Sequence, residues 1–346
     1  MWRICVVLFG VALLAGCASS GRAEQVVVLR ENVVDLRERM NELQEQVTEL
    51  TAHREVAACR LPNRTGGDRT NSGFPINPER IPASGNVNVA VLFVDFPDAP
   101  TPRYPRLAEI FKNSIPDAEK YLEAMSYGTL DLTFRPLLKW LRMPQSVSLL
   151  YSDFDDRLGM NKSDLGMAIS RFSLVDDAIG LADPDFDFED IDSVVVIATP
   201  EADSIKSGIS QQSPDWHFYA DGQTIGNVIS LGSGSLGSGG RSDWVSGLIA
   251  HELGHNLGLP DLYDANVEKD SEGNLPYEEV LGFVGAFGIM GGITNWSTAN
   301  EMFAWSRWQL GWLRDTQVAC VTSFPTSVQL TPLPIPGGVK AVVVPL

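Results

Sequence analysis

Apolar residues near the start of the chain recur with heptad spacing. Their spacings alternate between three and four residues over four heptads, while most residues between them are charged or carry amides. The a and d positions are Val26, Leu29, Val33, Leu36, Met40, Leu43, Val47 and Leu50. No proline or glycine interrupts residues 24–58, so the pattern predicts a parallel coiled coil of two or three chains. The alternative is one amphipathic helix that folds back on the rest of the chain or lies in a membrane interface.

Residues 87–316 alternate apolar strands with amphipathic helices, which favours an α/β domain built on a mostly parallel twisted sheet. The predicted elements are strands at Asn86–Phe96 and Ser193–Thr199 and helices at Asp117–Met125 and Leu165–Leu181. We further expect Asn227–Leu231 to form an antiparallel edge strand. An extended peptide could add to such an edge as a further strand.

The first residues have the features of an export signal. Arg3 is followed by an apolar run from Ile4 to Leu14 that is too short to span a bilayer, and then by small residues. Leu14-Ala15-Gly16-Cys17 resembles the processing box of bacterial lipoproteins, which implies cleavage after Gly16 and lipid attachment to Cys17. We therefore expect an exported lipoprotein, held at the outer membrane through Cys17 and facing the periplasm or the cell surface. An ordinary secretory signal with an incidental cysteine is the alternative.

Changes in composition divide the chain into five regions. After a signal peptide (1–16) come a lipid anchor with a coiled-coil stalk (17–58) and a linker rich in proline, glycine, asparagine and arginine (59–86). A single domain (87–316) follows, and a C-terminal β segment (317–346) completes the chain. Because that segment ends in an apolar run, we expect it to be the start of a β-rich domain that is cut short.

Cysteine usage and charge limit the classes of function. Cys59 and Cys320 are the only cysteines outside the signal peptide and the lipid site, so in an oxidising compartment they are a disulfide candidate. Two free buried thiols are the alternative. The formal net charge of −18 argues against a nucleic-acid partner and favours solubility outside the cell.

The segment His251-Glu252-Leu253-Gly254-His255 has the spacing of a catalytic zinc site. Apolar residues at helical spacing before it predict a helix from about 243 to 257, and residues four apart on a helix share one face. His251 and His255 can then bind one Zn²⁺, and the neighbouring Glu252 can take a proton from a zinc-bound water as that water attacks a peptide carbonyl. Half of the four histidines in the chain lie in this motif, which argues against a chance match.

Two carboxylates compete as the third zinc ligand. Gly258 and Pro260 end the predicted helix, and a turn there can bring Asp261 back toward the metal. The rival is Glu301, inside a second helix predicted at about 298–310, at the spacing of thermolysin-like enzymes. The break at Gly258 favours Asp261.

The extended motif resembles that of the metzincin clan of zinc peptidases, whose third ligand is usually histidine and occasionally aspartate. Phe287–Gly292 looks like the methionine turn of that clan, which implies that Met290 packs beneath the metal without binding it. Over about 87–316 the chain also resembles the immune inhibitor A family of secreted bacterial metallopeptidases. The segments that carry this resemblance are HELGHNLGLPDLYD (251–264), VLFVDFPD (91–98), SYGTL (126–130) and AWSRWQLGW (304–312). The resemblance implies a metzincin-like catalytic domain that cleaves proteins.

Two acidic runs, at 153–156 and 183–192, are candidates for calcium binding, with solvated turns as the alternative.

The sequence as a whole leaves two functional hypotheses. The first is a zinc endopeptidase that hydrolyses protein or peptide substrates and associates with itself through the coiled coil. The second is a non-catalytic structural or adhesive lipoprotein on a coiled-coil stalk. The intact metal motif favours the first.

Overall fold

The computed structural model of the protein describes residues 20–63, 73–101, 107–149, 164–202, 205, 209–212, 217–232, 242–263, 284–291 and 301–345. The chain divides into two units, Met1–Glu55 and Val56–Leu346. Cys17 and the export signal lie outside the described residues, as does the acidic run at 153–156.

The described residues of the first unit form one long helix, α1 (Ser20–Val56), which covers the predicted heptads and ends at the first residue of the second unit. Its a and d side chains from Leu29 to Leu50 are exposed, with exposed fractions between 52% and 71%. Within the described residues, no helix is both long and apolar enough to cross a bilayer.

The second unit contains a five-stranded sheet. Its strands are β1 (Gly85–Asp95), β2 (Leu130–Arg142), β3 (Ser193–Ala198), β4 (Ile209–Gln212) and β7 (Asn227–Leu231). They are arranged in the order β2-β1-β3-β7-β4, and every neighbouring pair is parallel except β4 with β7. Two short pairs complete the strands: β5 (Phe218–Ala220) with β6 (Gln223–Ile225), and β8 (Val318–Cys320) with β9 (Ala341–Val343).

The prediction of an antiparallel edge strand at Asn227–Leu231 was wrong. Asn227–Leu231 lies inside the sheet, parallel to β3, and all five of its residues are buried. The antiparallel edge is Ile209–Gln212, a short polar strand with no clear apolar period. An uninterrupted apolar run is typical of a strand covered on both faces, whereas edge strands are short and polar.

Helices cover both faces of the sheet. They are α2 (Leu107–Ser114), α3 (Pro116–Met125), α4 (Asp164–Ala182), α5 (Ser242–Asn256) and α6 (Ala304–Gln309). Alternate residues of β1 enter two separate cores: Val91 packs with α3 and α5, and Leu92 packs with α4. The protein is therefore a mixed α/β structure around a mostly parallel sheet. Residues 89–94 of β1 are buried on both faces, and that stretch is continuously apolar.

The second helix predicted in the region of Glu301 is shorter than expected. It begins only at Ala304, because Phe303 has extended backbone (φ −55°, ψ 146°). Glu301 therefore lies before the helix and not inside it.

The region predicted as a linker packs against its own unit where it is described. Ile81 is buried, and its N–H donates to the carbonyl of Asn256 at the end of α5. Farther along the chain, the Trp312 side chain donates to the carbonyl of Ala83, and the Gln309 side chain to that of Gly73. Side chains from distant parts of the sequence thus form hydrogen bonds with the backbone of this region, whose composition alone indicates no structure.

The start of the second unit is fixed to its C-terminal part. Cys59 and Cys320 are joined by a disulfide in the structure. Next to it, Arg60 donates to both carboxylate oxygens of Asp315 at 2.7 and 2.8 Å, and Trp308 Nε1 donates to the same carboxylate at 2.7 Å. Two ends of this unit, far apart in sequence, are therefore held together by a covalent bond and a buried polar cluster.

Candidate metal centre

Helix α5 presents His251 and His255 on one face. Nδ1 of His251 lies 2.8 Å from the carbonyl of Ile289, and Nδ1 of His255 lies 2.8 Å from the carbonyl of Leu259. A carbonyl has no proton to give, so each Nδ1 must be the donor. These bonds fix both rings and make each Nε2 the nitrogen available to a metal.

The chain reverses directly after the second histidine. Gly258 has φ +103°, a conformation that favours glycine, and the N–H of Leu259 donates to the carbonyl of Gly254 at 2.8 Å. The carbonyl of Leu259 is the one that accepts from His255. The turn that ends α5 therefore also orients a histidine and directs the next residues back toward it.

This reversal brings Asp261 to both imidazoles. Its Oδ1 lies 3.2 Å from Nε2 of His251 and 3.3 Å from Nε2 of His255. Ligand atoms around a tetrahedral zinc ion are about 3.3 Å apart, given metal–ligand distances near 2 Å. Of the described residues, only these three form a group of His, Cys, Asp or Glu side chains whose ligand atoms converge, here within 4.8 Å.

Oδ1 of Asp261 is a buried oxygen that lacks a hydrogen bond of acceptable geometry. Such an atom is costly unless something compensates it, and a cation between it and the two Nε2 atoms would do so. The donor set of two imidazoles and one carboxylate is one that zinc uses in catalytic sites, so the residues fit a zinc ion.

Without a metal, the three side chains strongly perturb one another. Burial lowers the pKa of the His255 imidazole, but the carboxylate of Asp261, with a smaller contribution from Glu252, outweighs this and raises it to about 9. Burial raises the pKa of the Asp261 carboxyl, but its polar contacts with the two imidazoles dominate and hold that pKa well below its usual range. A negative carboxylate and a positive imidazolium are thus forced together.

Glu252 lies beside this group without belonging to it. It is only 4% exposed, and its charge raises the pKa of both His255 and Tyr263. It is therefore close enough to act electrostatically on the site, while the convergent ligand atoms come from the other three residues. A carboxylate that is near a metal group without being one of its ligands is a candidate general base.

The backbone around Met290 forms hydrogen bonds with His251 and with the residue that follows Asp261. The carbonyl of Ile289 accepts from His251, and the carbonyl of Met290 accepts from the N–H of Leu262 at 2.7 Å. One short turn thus holds the first histidine and the segment that carries Asp261. Met290 is buried, and its side chain lies against Gly254.

Tyr263 belongs to the site, although nothing in its sequence position indicated this. Its ring faces that of His251, with centroids 6.5 Å apart and planes at 20°, and the charge of the Asp261 carboxylate acts on its phenol. Burial, followed by the charge of Asp261, raises the pKa of Tyr263 above its usual range. Tyr263 therefore remains neutral beside the carboxylate.

Asn256 is a second residue that sequence reasoning missed. Its side chain donates to Ser193 Oγ of β3 at 2.8 Å and accepts a hydrogen bond from Ser210 Oγ of β4. Asn256 is fully buried, and it follows His255 directly. The metal helix is therefore attached to the sheet, and the antiparallel edge strand lies next to it.

The other sequence candidates lie elsewhere. Glu301 pairs with the buried guanidinium of Arg307 and is not part of the convergent group. His53 and His217 are exposed and do not belong to it either.

Carboxylates of the acidic run 183–192 serve local contacts: Asp185 pairs with Lys139, and Asp192 accepts from the N–H of Asn88. They form no convergent group among the described residues, and the run at 153–156 is outside them.

No family model matches the chain, and no curated protein matches it either. The chemistry of the site is therefore inferred from its own residues. Three protein ligands would leave one position of a tetrahedral ion open, and the buried Glu252 follows the first of these ligands in the chain. This combination suits metal-assisted hydrolysis.

Proposed function

We propose that this protein is a zinc-dependent endopeptidase that hydrolyses protein or peptide substrates. His251, His255 and Asp261 are the zinc ligands, and Glu252 is the catalytic base. The observation that carries the proposal is the position of Asp261 Oδ1, within 3.3 Å of both imidazole Nε2 atoms and without a hydrogen bond of its own. The turn that contains Met290 and the sequence resemblance support a metzincin-like domain similar to immune inhibitor A peptidases.

A zinc ion held by His251, His255 and Asp261 would supply Lewis acidity, which favours attack of water on the scissile carbonyl. Glu252 accepts the proton of the attacking water and passes it to the leaving amine, so that it works first as a base and then as an acid. Asp261 keeps its charge, because its pKa is held well below its usual range, and it would balance part of the charge of the metal. The carbonyls of Ile289 and Leu259 keep both imidazoles in the required tautomer.

The proposed substrate site is the edge strand β4. It is the antiparallel end of the sheet, and the Ser210–Asn256 hydrogen bond attaches it to the metal helix. An extended peptide that pairs with this edge would pass beside the metal ligands, bound mainly through its backbone. Such binding suits an enzyme that cleaves polypeptides of varied sequence.

We also propose that the enzyme is an exported bacterial lipoprotein. The lipoprotein-type processing box before Cys17 supports attachment of the mature chain to the outer membrane, and the acidic net charge suits an extracytoplasmic domain. Substrates would then be proteins that reach the periplasm or the cell surface.

The test uses the mature protein with Cys17→Ser, which removes the lipid. Metal analysis should find about one zinc per chain, and a chelator should abolish cleavage of an unfolded protein substrate, with zinc restoring it. Glu252→Gln should keep the zinc and lose cleavage by at least about 100-fold, whereas Glu109→Gln, on the exposed side of α2, should change neither. Full activity in Glu252→Gln would refute the mechanism, and cleavage without any bound metal would refute the zinc enzyme altogether.

A further inference from the structure

The a and d side chains of α1 form a narrow, exposed apolar stripe, which we call the seam. Between Met40 and Leu50 the only apolar residues are those at the a and d positions, whereas before Met40 the exposed Val27, Val28 and Val34 lie outside them. A helix that lies on a membrane or on a protein core usually has a wider apolar face, whereas a stripe limited to a and d is characteristic of a coiled coil. The seam therefore fits another helix better than it fits a lipid surface.

We propose that two copies of this chain associate through the seam as a parallel, in-register, two-stranded coiled coil. Valine at three of the four a positions with leucine at every d position favours two strands over three or four. This inference does not depend on the proposed peptidase activity. It goes further than the sequence pattern by reducing two or three chains to two and by giving a physical reason for the parallel direction.

The charged residues that flank the seam form no ion pairs between the two chains. Repulsion among them instead determines whether the chains are parallel or antiparallel. From residue 30 to residue 51 the flanking e and g positions carry only arginine or neutral residues: Arg30, Asn32, Arg37, Arg39, Gln44, Gln46 and Thr51. The acidic residues of that stretch are on the outer face of the helix: Glu31, Asp35, Glu38, Glu42, Glu45 and Glu49. A second copy thus offers no acid to these arginines, and the favoured arrangement is the one that keeps arginines apart.

Parallel chains satisfy this condition. In a parallel in-register pair, each g residue faces the e residue five positions later on the other chain. Arg37 then faces Asn32 of the second copy, and Arg39 faces Gln44 of the second copy. Every arginine between residues 32 and 44 meets an uncharged amide.

Antiparallel chains do not satisfy it. The heptads run from Val26 to Leu50, so an antiparallel pair with all of them in contact is centred on residue 38. Arg37 then faces Arg37 of the second copy, and Arg39 faces Arg39 of the second copy. Like charges in these positions oppose pairing. A shift of one heptad separates the arginines, but it leaves Val26 and Leu29 without partners.

The first experiment measures the mass of the mature protein with Cys17→Ser by light scattering, from about 1 to 100 µM. We expect a dimer. Leu36→Glu and Leu43→Glu, both at d positions, should give monomers at concentrations where the unaltered protein is dimeric. Val34→Glu is the matched control: it introduces the same charge on the same helix but outside the seam, and it should leave the dimer intact. A monomer at 100 µM, or a trimer, would overturn the proposal.

The second experiment determines direction. In the same background, Leu36→Cys should form an interchain disulfide under mild oxidation, because parallel in-register chains place position 36 opposite itself. Val34→Cys should not. In the antiparallel pair, position 36 faces position 40 of the second copy. A disulfide that forms only when Leu36→Cys chains are mixed with Met40→Cys chains would therefore overturn the parallel arrangement.

The third experiment asks whether lipid covers the seam instead. The unlipidated protein is floated with anionic vesicles of phosphatidylglycerol and phosphatidylethanolamine. We expect it to stay in solution as a dimer. Flotation that Leu36→Glu abolishes and Val34→Glu does not, together with a monomeric mass, would show that the seam binds membranes and would refute the coiled coil.

Discussion

Met290 packs directly against Gly254, the glycine between the two zinc-motif histidines. A Cβ atom at position 254 would lie 2.5 Å from the sulfur of Met290, so the side chain occupies the space that any larger residue would need. The backbone of the same turn holds His251 through Ile289 and the Asp261 segment through Leu262. Packing at Met290 and the position of the ligands are therefore coupled.

This coupling predicts different effects for two substitutions at Met290. Met290→Ala should leave a cavity beneath the ligands, lower the free energy of unfolding by about 2–5 kcal/mol and weaken zinc binding. Met290→Leu nearly conserves volume and should cost less than about 1.5 kcal/mol while it retains zinc. Urea denaturation and competition with a chromophoric chelator measure the two quantities. If Met290→Ala leaves both unchanged, Met290 does not support the site.

The third ligand can be tested by a pair of carboxylate substitutions. Asp261→Ala should weaken zinc binding by more than about 100-fold, because it removes one of three protein ligands. Glu301→Gln should leave zinc affinity unchanged, since the glutamine can still accept from the buried Arg307 and the structure places Glu301 outside the ligand group. Metal content after dialysis against a weak chelator separates the two cases. Loss of zinc in Glu301→Gln, with retention in Asp261→Ala, would favour the thermolysin-like arrangement.

Local sequence signals predicted the parts of the fold and site that depend on local interactions. The helix that carries His251 and His255 was expected at about 243–257 and is found at Ser242–Asn256. The turn at Gly258 was expected because glycine tolerates positive φ, and that turn carries Asp261 to the histidines. Motif spacing is sufficient here, because the relevant contacts lie within about ten residues.

Contacts between distant segments were not predictable in the same way. The edge strand was misplaced, because a short polar strand such as Ile209–Gln212 has no period of its own and is defined only by its neighbour β7. The position of Ile81 depends on Asn256, the last residue of α5, which is far away in the sequence. Tyr263 and Asn256 gain their roles from partners that no local pattern specifies.

The metal-free site should show a pH dependence set by His255. The pKa of its imidazole is raised from 6.5 to about 9, so in this state it is protonated at pH 7.5. Because the pKa of His255 is higher in the folded than in the unfolded protein, its protonation stabilises the fold. This stabilisation is complete at pH values below the unfolded pKa of 6.5 and is lost as the pH rises through about 9. The melting temperature of the metal-free protein should therefore fall between pH 6.5 and pH 9.

Asp261→Asn is the control for this effect. With the carboxylate gone, burial dominates, so the pKa of His255 should fall and the pH dependence should largely disappear. NMR of protein labelled with ¹⁵N-histidine can follow the titration, because the chain has only four histidines. A His255 that titrates near 6.5 in the unsubstituted metal-free protein would contradict the prediction.

The buried cluster at Asp315 should stabilise the second unit far more than an exposed ion pair does. The Asp315 side chain is 9% exposed and accepts from Arg60 and Trp308, so Asp315→Ala removes the acceptor of two buried or half-buried donors. We expect a loss of about 3 kcal/mol in the free energy of unfolding. Asp117→Ala breaks the exposed pair with Lys120, whose side chains are 64% and 72% exposed, and should cost less than about 1 kcal/mol. Urea denaturation with the Cys59–Cys320 disulfide intact measures both, and equal losses in the two variants would show that the disulfide, and not Asp315, holds the two segments together.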